Sequence, residues 1–211
     1  MAKGNRRIIR DILYHFSKWS YPFVSDELFN NALFYYNCKR LGKPFYRQNL
    51  RNPKTFNEKI SWIKFHQRHP LAPLVADKIR VKEYVAEKIG PEYVIPTLEV
   101  FDRPEAIEVS GLPDKFILKL NTGSGQNLIC LDKANFDRKK AISFFKKAFR
   151  INPFYLSREW HYRFIKPAIL VEPLIGENVT EYKVFSIKGD PFVIQVDTDR
   201  FYGHKRNFFD T

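Results

Sequence analysis

Ile8, Ile9, Ile12, Leu13, Phe16 and Trp19 recur at helical spacing across residues 6–19, with Arg6, Arg7, Arg10 and Lys18 between them. The pattern predicts an amphipathic helix. Such a helix suits an anionic membrane surface or packing on its own domain. DELFNNALFYYNCKRL (26–41) predicts a second helix, capped by Asp26 and stopped by Gly42 and Pro44. In NPKTFNEKISWIKFHQRHP (52–70), Glu58 follows Thr55 by three residues, the spacing of a capping box, and Ile60, Trp62, Ile63 and Phe65 supply the apolar face. ADKIRVKEYVAEKIG (76–90) predicts a further helix from Asp77 to Gly90–Pro91.

After Pro96 the period shortens. Residues 97–101, 115–120, 127–131, 168–175, 182–189 and 191–197 read as strands, interrupted by one long helix over 137–151. Lys188-Gly189-Asp190 between two such runs predicts a hairpin. The expected class is α+β, a helical N-terminal part followed by antiparallel sheets.

Composition narrows the chemistry. The 211 residues are 44% apolar and 16% aromatic, enough for a core. Lys+Arg 36 against Asp+Glu 23 gives +13, which points to an anionic partner without choosing among nucleotide, acidic sugar, membrane or nucleic acid. Cys38 and Cys130 have no CxxC spacing and the five histidines no HExxH spacing, so neither a disulfide scaffold nor a zinc site is expected, and a reducing cytosol fits. No run reaches the length of a membrane span, and Asp11, His15 and Lys18 interrupt the N-terminal apolar stretch, unlike a signal peptide.

The stretch FILKLNTGSGQNLICLDK (116–133) raises the question of a phosphate grip. A P-loop places its lysine after the glycines, whereas Lys119 precedes them. A dinucleotide fingerprint needs a third glycine where Leu128 stands, and leads into a helix rather than a strand. What remains is a hairpin in which Gly123 and Gly125 turn backbone N–H groups toward an anion beside Lys119. An ordinary hairpin with Lys119 on a solvated face satisfies the same residues. A second dense cluster, DTDRFYGHKRN, holds Asp197, Asp199, Arg200, His204, Lys205 and Arg206. It suits phosphate and an acidic acceptor, and a solvated charge run is the plain alternative.

From Pro53 to Asp210 the chain resembles the ATP-grasp fold, and within it the TupA-like group associated with bacterial cell-surface polysaccharide and teichuronopeptide synthesis. The markers are PKTFNEKISW, ADKIRVKEYV, GPEYVIPTLEV, LPDKFILKLNTGSGQNLIC, REWHY, IKPAILVEPLI, EYKVFSIKGDP and IQVDTDRFYGHKRNFFD, in that order. The resemblance implies a helical region (1–92), a small lobe with a glycine-rich flap (93–169) and the start of a second lobe (170–211), C-terminally incomplete. ATP is held between such lobes and activates a carboxylate as an acyl phosphate.

By position, Lys78 and Lys119 are the implied phosphate lysines, and the Asn121 to Gln126 turn, with Gly123, Ser124 and Gly125, the flap. Backbone groups of Glu172 and Leu174 are implied to read the adenine edge, with Ile117, Ile129, Leu170 and Ile175 around the ring. Glu181 and Lys183, two apart on one strand, are implied to face the nucleotide. His204, Lys205 and Arg206 are the implied catalytic candidates. The family holds Mg²⁺ through carboxylates on strands beyond Thr211, so the metal ligands are unknown, and a piece of a longer protein or a shortened member is expected.

The leading expectation is a cytoplasmic ATP-dependent carboxylate–amine ligase working on an acidic sugar or amino acid, with peripheral membrane contact through the basic N-terminal helix. The alternatives are a glycosyltransferase-type protein of the same pathways and a non-catalytic basic module for anionic polymer or membrane. Nucleic acid ranks last, since most of the twenty phenylalanines sit at core spacing.

Overall fold

Local capping explains where the first helices begin. The computed structural model describes residues 3–176, 179–199 and 203–211, with side chains from Ile12 onward. Helix α1 spans Lys3–Ser20 and α2 Asp26–Leu41. Ser25, not Asp26, caps α2, its hydroxyl accepting from the Leu28 N–H at 3.3 Å. Ser25 has the extended backbone a cap needs, and Asp26 instead lies in the first turn, where its charge complements the helix dipole. Gly42, in the left-handed region, ends α2 as expected. Helix α3 (Phe56–His66) starts with the Thr55/Glu58 capping box. Glu58 also accepts from the N–H groups of Asn49 (2.8 Å) and Lys54 (3.0 Å), tying the approach segment to the helix.

The helix expected over 76–90 begins only at Arg80, and a short helix not expected from the sequence precedes it. Helix α4 covers Ala72–Ala76 and α5 covers Arg80–Ile89. Asp77 between them is extended, and its carboxylate accepts from the Ile79 N–H at 2.9 Å. That bond competes with helix continuation. The break frees the Lys78 N–H to donate to the Asn121 carbonyl at 3.0 Å.

Two compact units follow from the contacts, Met1–Glu172 and Pro173–Thr211. The first holds a four-stranded sheet of β1 (Glu99–Phe101), β2 (Phe116–Leu120), β3 (Asn127–Cys130) and β4 (Ile169–Pro173, which ends at the boundary), in the order β1-β4-β2-β3. Strands β2 and β3 form the expected antiparallel hairpin, with Phe116 opposite Cys130 and Lys119 opposite Asn127. Helix α6 (Arg138–Phe149) covers one face, where Ala141, Phe145 and Ala148 pack with Phe116, Leu118, Leu120, Ile169 and Val171. Strand alternation therefore puts Ile117, Lys119, Leu170 and Glu172 on the opposite face.

Helix α7 (Phe154–Ser157) and a 3₁₀ segment (Trp160–Phe164) were not foreseen. Arg158 ends α7 with φ +59°, and its buried guanidinium lies between the rings of Tyr21 (4.2 Å) and Phe29 (4.6 Å), joining the α1–α2 region to α7.

The second unit is a three-stranded antiparallel sheet of β5 (Glu181–Ile187), β6 (Asp190–Thr198) and β7 (Lys205–Phe209), in that order. The expected hairpin is present. Lys188 and Gly189 have φ of +55° and +97°, the left-handed pair that matches strand twist in a two-residue turn. Strand β7 was read only as a charged cluster. No helix among the described residues is long and apolar enough to cross a membrane.

Candidate functional site

The broken helix positions Lys78. Its Nζ donates to three carbonyl oxygens at the start of the glycine turn, those of Gly123 (2.5 Å), Leu120 (3.2 Å) and Asn121 (3.4 Å). Asn121 is buried and almost fully used. Its amide nitrogen donates to Asp77 (3.1 Å) and to the Lys166 carbonyl (3.0 Å), and its side-chain oxygen accepts from the Ala168 N–H (2.9 Å). One residue thus joins the Asp77–Lys78 break, the turn and the lead into β4. Sequence reading passed over Asn121 and treated it only as the edge of the turn.

Lys119 reaches across to β4 and forms an ion pair with Glu172. The other oxygen of the same carboxylate is paired with Lys82 on α5, which also donates to the Ile95 carbonyl (2.8 Å) and the Thr97 hydroxyl (3.2 Å). Burial pushes the Glu172 carboxyl up, but hydrogen bonds from Lys119 and Lys82 outweigh it and hold the pKa below the usual range. Lys82 was missed, although it follows Lys78 by four residues, one helical turn.

The Lys78 ammonium is held below its ordinary value by burial first, and then by the charge of Lys119. Lys119 and Lys82 share the one carboxylate of Glu172, which leaves a cationic surplus in this half-buried setting. Lys78, Lys82, Lys119 and Glu172 therefore form one electropositive group against the glycine turn. Gly123 (φ +65°) and Gly125 (φ +81°) both adopt the left-handed backbone that glycine takes without steric cost. Gly123 also lies tight against Pro153, where an added Cβ would come within 3.3 Å of the ring. Behind the turn, on the α6 side, a cavity of about 600 Å³ is lined by Gly123, Ser124, Gly125, Gln126, Phe144 and Lys147 among others. The lysine group lies on the other face of the sheet and does not line it.

Of the residues expected around an adenine ring, Leu170 and Ile117 share the Lys119 face, with Leu170 fully buried. Ile129, opposite Ile117, and Ile175, just past β4, are exposed. Leu174 follows β4 directly and is partly buried.

In the second unit, Glu181 stands opposite Asp197 and Lys183 opposite Gln195, while Asp197 stands opposite Arg206 on β7. Glu181 and Lys183 thus share one face with Asp197 and Arg206. Asp197 is buried and gathers three donors, Arg206 (Nε 2.6 Å, Nη2 3.1 Å), Gln195 (2.8 Å) and His204 (3.2 Å). The Arg206 guanidinium, followed by the smaller contributions of Gln195 and His204, keeps its carboxyl far below the usual carboxylate range. His204 and Arg206 are therefore brought together. Lys205 opposes Thr198 on the other side of the alternation and pairs with Asp199 at 3.2 Å. Arg200 lies outside the described residues.

Among the described residues no group of three His, Cys, Asp or Glu side chains could hold a metal ion. The described residues thus offer Mg²⁺ no site of their own. The lysine group beside the glycine turn carries a cationic surplus, which suits an anion such as a chain of phosphates.

No curated protein and no solved structure matches the chain. The model of one family, TupA-like ATPgrasp, matches residues 58–211, a span that contains every residue of the lysine group and of the Asp197 cluster. The chain belongs to the TupA-like ATP-grasp family.

Proposed function

We propose that the chain binds ATP through Lys78, Lys119 and the Gly123–Gly125 turn and belongs to a ligase that joins a carboxylate to an amine or sugar acceptor in bacterial surface-polymer synthesis. The family is one of ATP-binding, ligase-type proteins. The observation that carries the reading is geometric: Lys78 donates to the Gly123 carbonyl of the glycine turn, while Lys119 and Lys82 share the single carboxylate of Glu172, so three lysines meet one carboxylate beside the turn.

In this reading Lys78 leaves its carbonyl partners and Lys119 its carboxylate to meet the phosphates, and the turn closes over them. Backbone groups of Glu172 and Leu174 read the adenine edge, and Glu181 and Lys183 face the nucleotide. An oxygen of the carboxylate substrate bonds to the γ-phosphorus as ADP departs. An amine then attacks the acyl carbon and phosphate leaves. His204, Lys205 and Arg206 are assigned to the charge that develops around that phosphoryl group. An acidic sugar or amino acid suits the basic chain, and the cytoplasmic side, where ATP is supplied, is the place for the reaction.

Calorimetric titration of ATP into the wild type and Lys119→Ala, with and without Mg²⁺, tests the reading. Binding lost in the variant, with the fold retained by circular dichroism at the titration temperature, supports it. Equal affinity in both proteins overturns it and leaves a basic module for anionic polymer as the better account.

A further inference from the structure

Helix α1 turns its less apolar face inward. Among its described side chains, from Ile12 onward, the buried ones are Tyr14, Ser17 and Ser20. Tyr14 stacks edge-on against Tyr155 of α7 (6.1 Å), its hydroxyl accepts from the Asn152 N–H (3.3 Å), and Ser17 donates to the Tyr155 carbonyl. The helix does pack on its own domain, as one of the two expectations had it, but through small and polar groups.

The outward face carries the large side chains. Ile12, Phe16, Trp19 and, just past the helix, Phe23 are 63%, 60%, 69% and 79% exposed. Their spacing of four, three and four residues lines them up in one stripe. Phe16 and Trp19 have ring centroids 6.1 Å apart, and Trp19 and Phe23 6.2 Å, so the aromatic row is continuous. Single exposed apolar residues are ordinary, whereas a contiguous row of this kind marks an interaction surface.

Charge decides what kind. Helix α1 carries Lys3, Arg6, Arg7, Arg10 and Lys18 against Asp11 alone, in a chain of net charge +13. An apolar stripe by itself would accept a protein partner. A stripe of Trp, Phe and Ile on a helix with this cationic surplus is complementary to a surface that offers both acyl chains and negative headgroups. A helix lying in the interface, not across it, is the geometry, since no described helix can span a bilayer.

We propose that α1 docks flat on an anionic lipid surface, with Ile12, Phe16, Trp19 and Phe23 entering the interfacial layer. The inference is independent of the nucleotide site, so either can fail without the other.

The test is cosedimentation of the full 211-residue chain with vesicles of phosphatidylcholine alone or mixed with phosphatidylglycerol, alongside Trp19 fluorescence, with Trp19→Phe as the reference for the other two tryptophans. The expected result is binding to the mixed vesicles that weakens with salt, a blue shift that vanishes in Trp19→Phe, and at least a tenfold loss of partitioning in Phe16→Glu/Trp19→Glu. Because both positions are exposed, that variant should melt as the wild type does and keep its ATP affinity. Equal binding to neutral and anionic vesicles, or undiminished binding by the double variant, would overturn the proposal. So would a wild type that ignores vesicles but forms a dimer broken by Phe16→Glu, which would give the stripe to a second copy.

Discussion

The Nζ of Lys78 lies 2.5 Å from the carbonyl oxygen of Gly123, so the proposed phosphate lysine and the glycine turn hold each other before any ligand is present. Lys78→Met should remove both functions at once. ATP affinity is expected to fall roughly 10- to 100-fold, the equivalent of about 1.5–3 kcal/mol for hydrogen bonds to a charged group. Amides of residues 121–126 should also exchange faster with deuterium. In the wild type the affinity should decline as pH rises through a value below the ordinary 10.5, because burial and Lys119 favour the neutral amine. A wild-type pH profile unchanged by Lys78→Met would place the titrating group elsewhere.

Glu172 keeps Lys82 and Lys119 apart from each other electrostatically by serving both. Glu172→Gln leaves two ammoniums sharing a neutral amide, and stability is expected to drop by about 3 kcal/mol, as when one partner of a buried pair is removed. The wild-type carboxyl has a folded pKa below its ordinary value of 4.5, so its contribution is present above that pH and is lost as pH falls through the lower value. Urea midpoints recorded from neutral pH down to acid should show this fall in the wild type and a flatter course in Glu172→Gln.

Glu58 gives the clearest acid-dependent contribution. Backbone N–H donors from Asn49, Thr55 and Lys54 lower its pKa from 4.5 to about 2. The folded value lies below the unfolded one, so the stabilisation is complete above about 4.5 and disappears as pH falls toward 2. Glu58→Gln should abolish that slope. Thr55→Ala, which removes the other half of the capping box, should cost about 1 kcal/mol at neutral pH. Thermal unfolding of both variants at several pH values checks the pair.

How much could be read beforehand depended on how local the cause was. The Thr55–Glu58 capping box and the Lys188–Gly189 hairpin were legible because their determinants lie within a few residues. The β2–β3 hairpin followed from alternation on both sides of the glycines. The break at Asp77 was hidden because an aspartate before an apolar period looks like an N-cap. What enforces the break is a partner 44 residues on, Asn121. Strand β7 was hidden for a related reason. Its residues are all exposed and show no buried alternation, and its conformation comes from pairing with β6, to which Arg206 is fastened through Asp197. Of the site, Lys78 and Lys119 were legible through the resemblance. The role of the Glu172 side chain was not, because a residue noted for its backbone turned out to pair with two lysines at once.

Lys78 rests on three carbonyls and Lys119 on a carboxylate, so a ligand entering this site exchanges partners rather than simply adding them. In the proposed nucleotide site, a single small anion would have to displace one of those sets for little gain, whereas a chain of linked phosphates would offer replacements for both. The resting contacts would then act as a selectivity filter against the abundant simple anions of a cell.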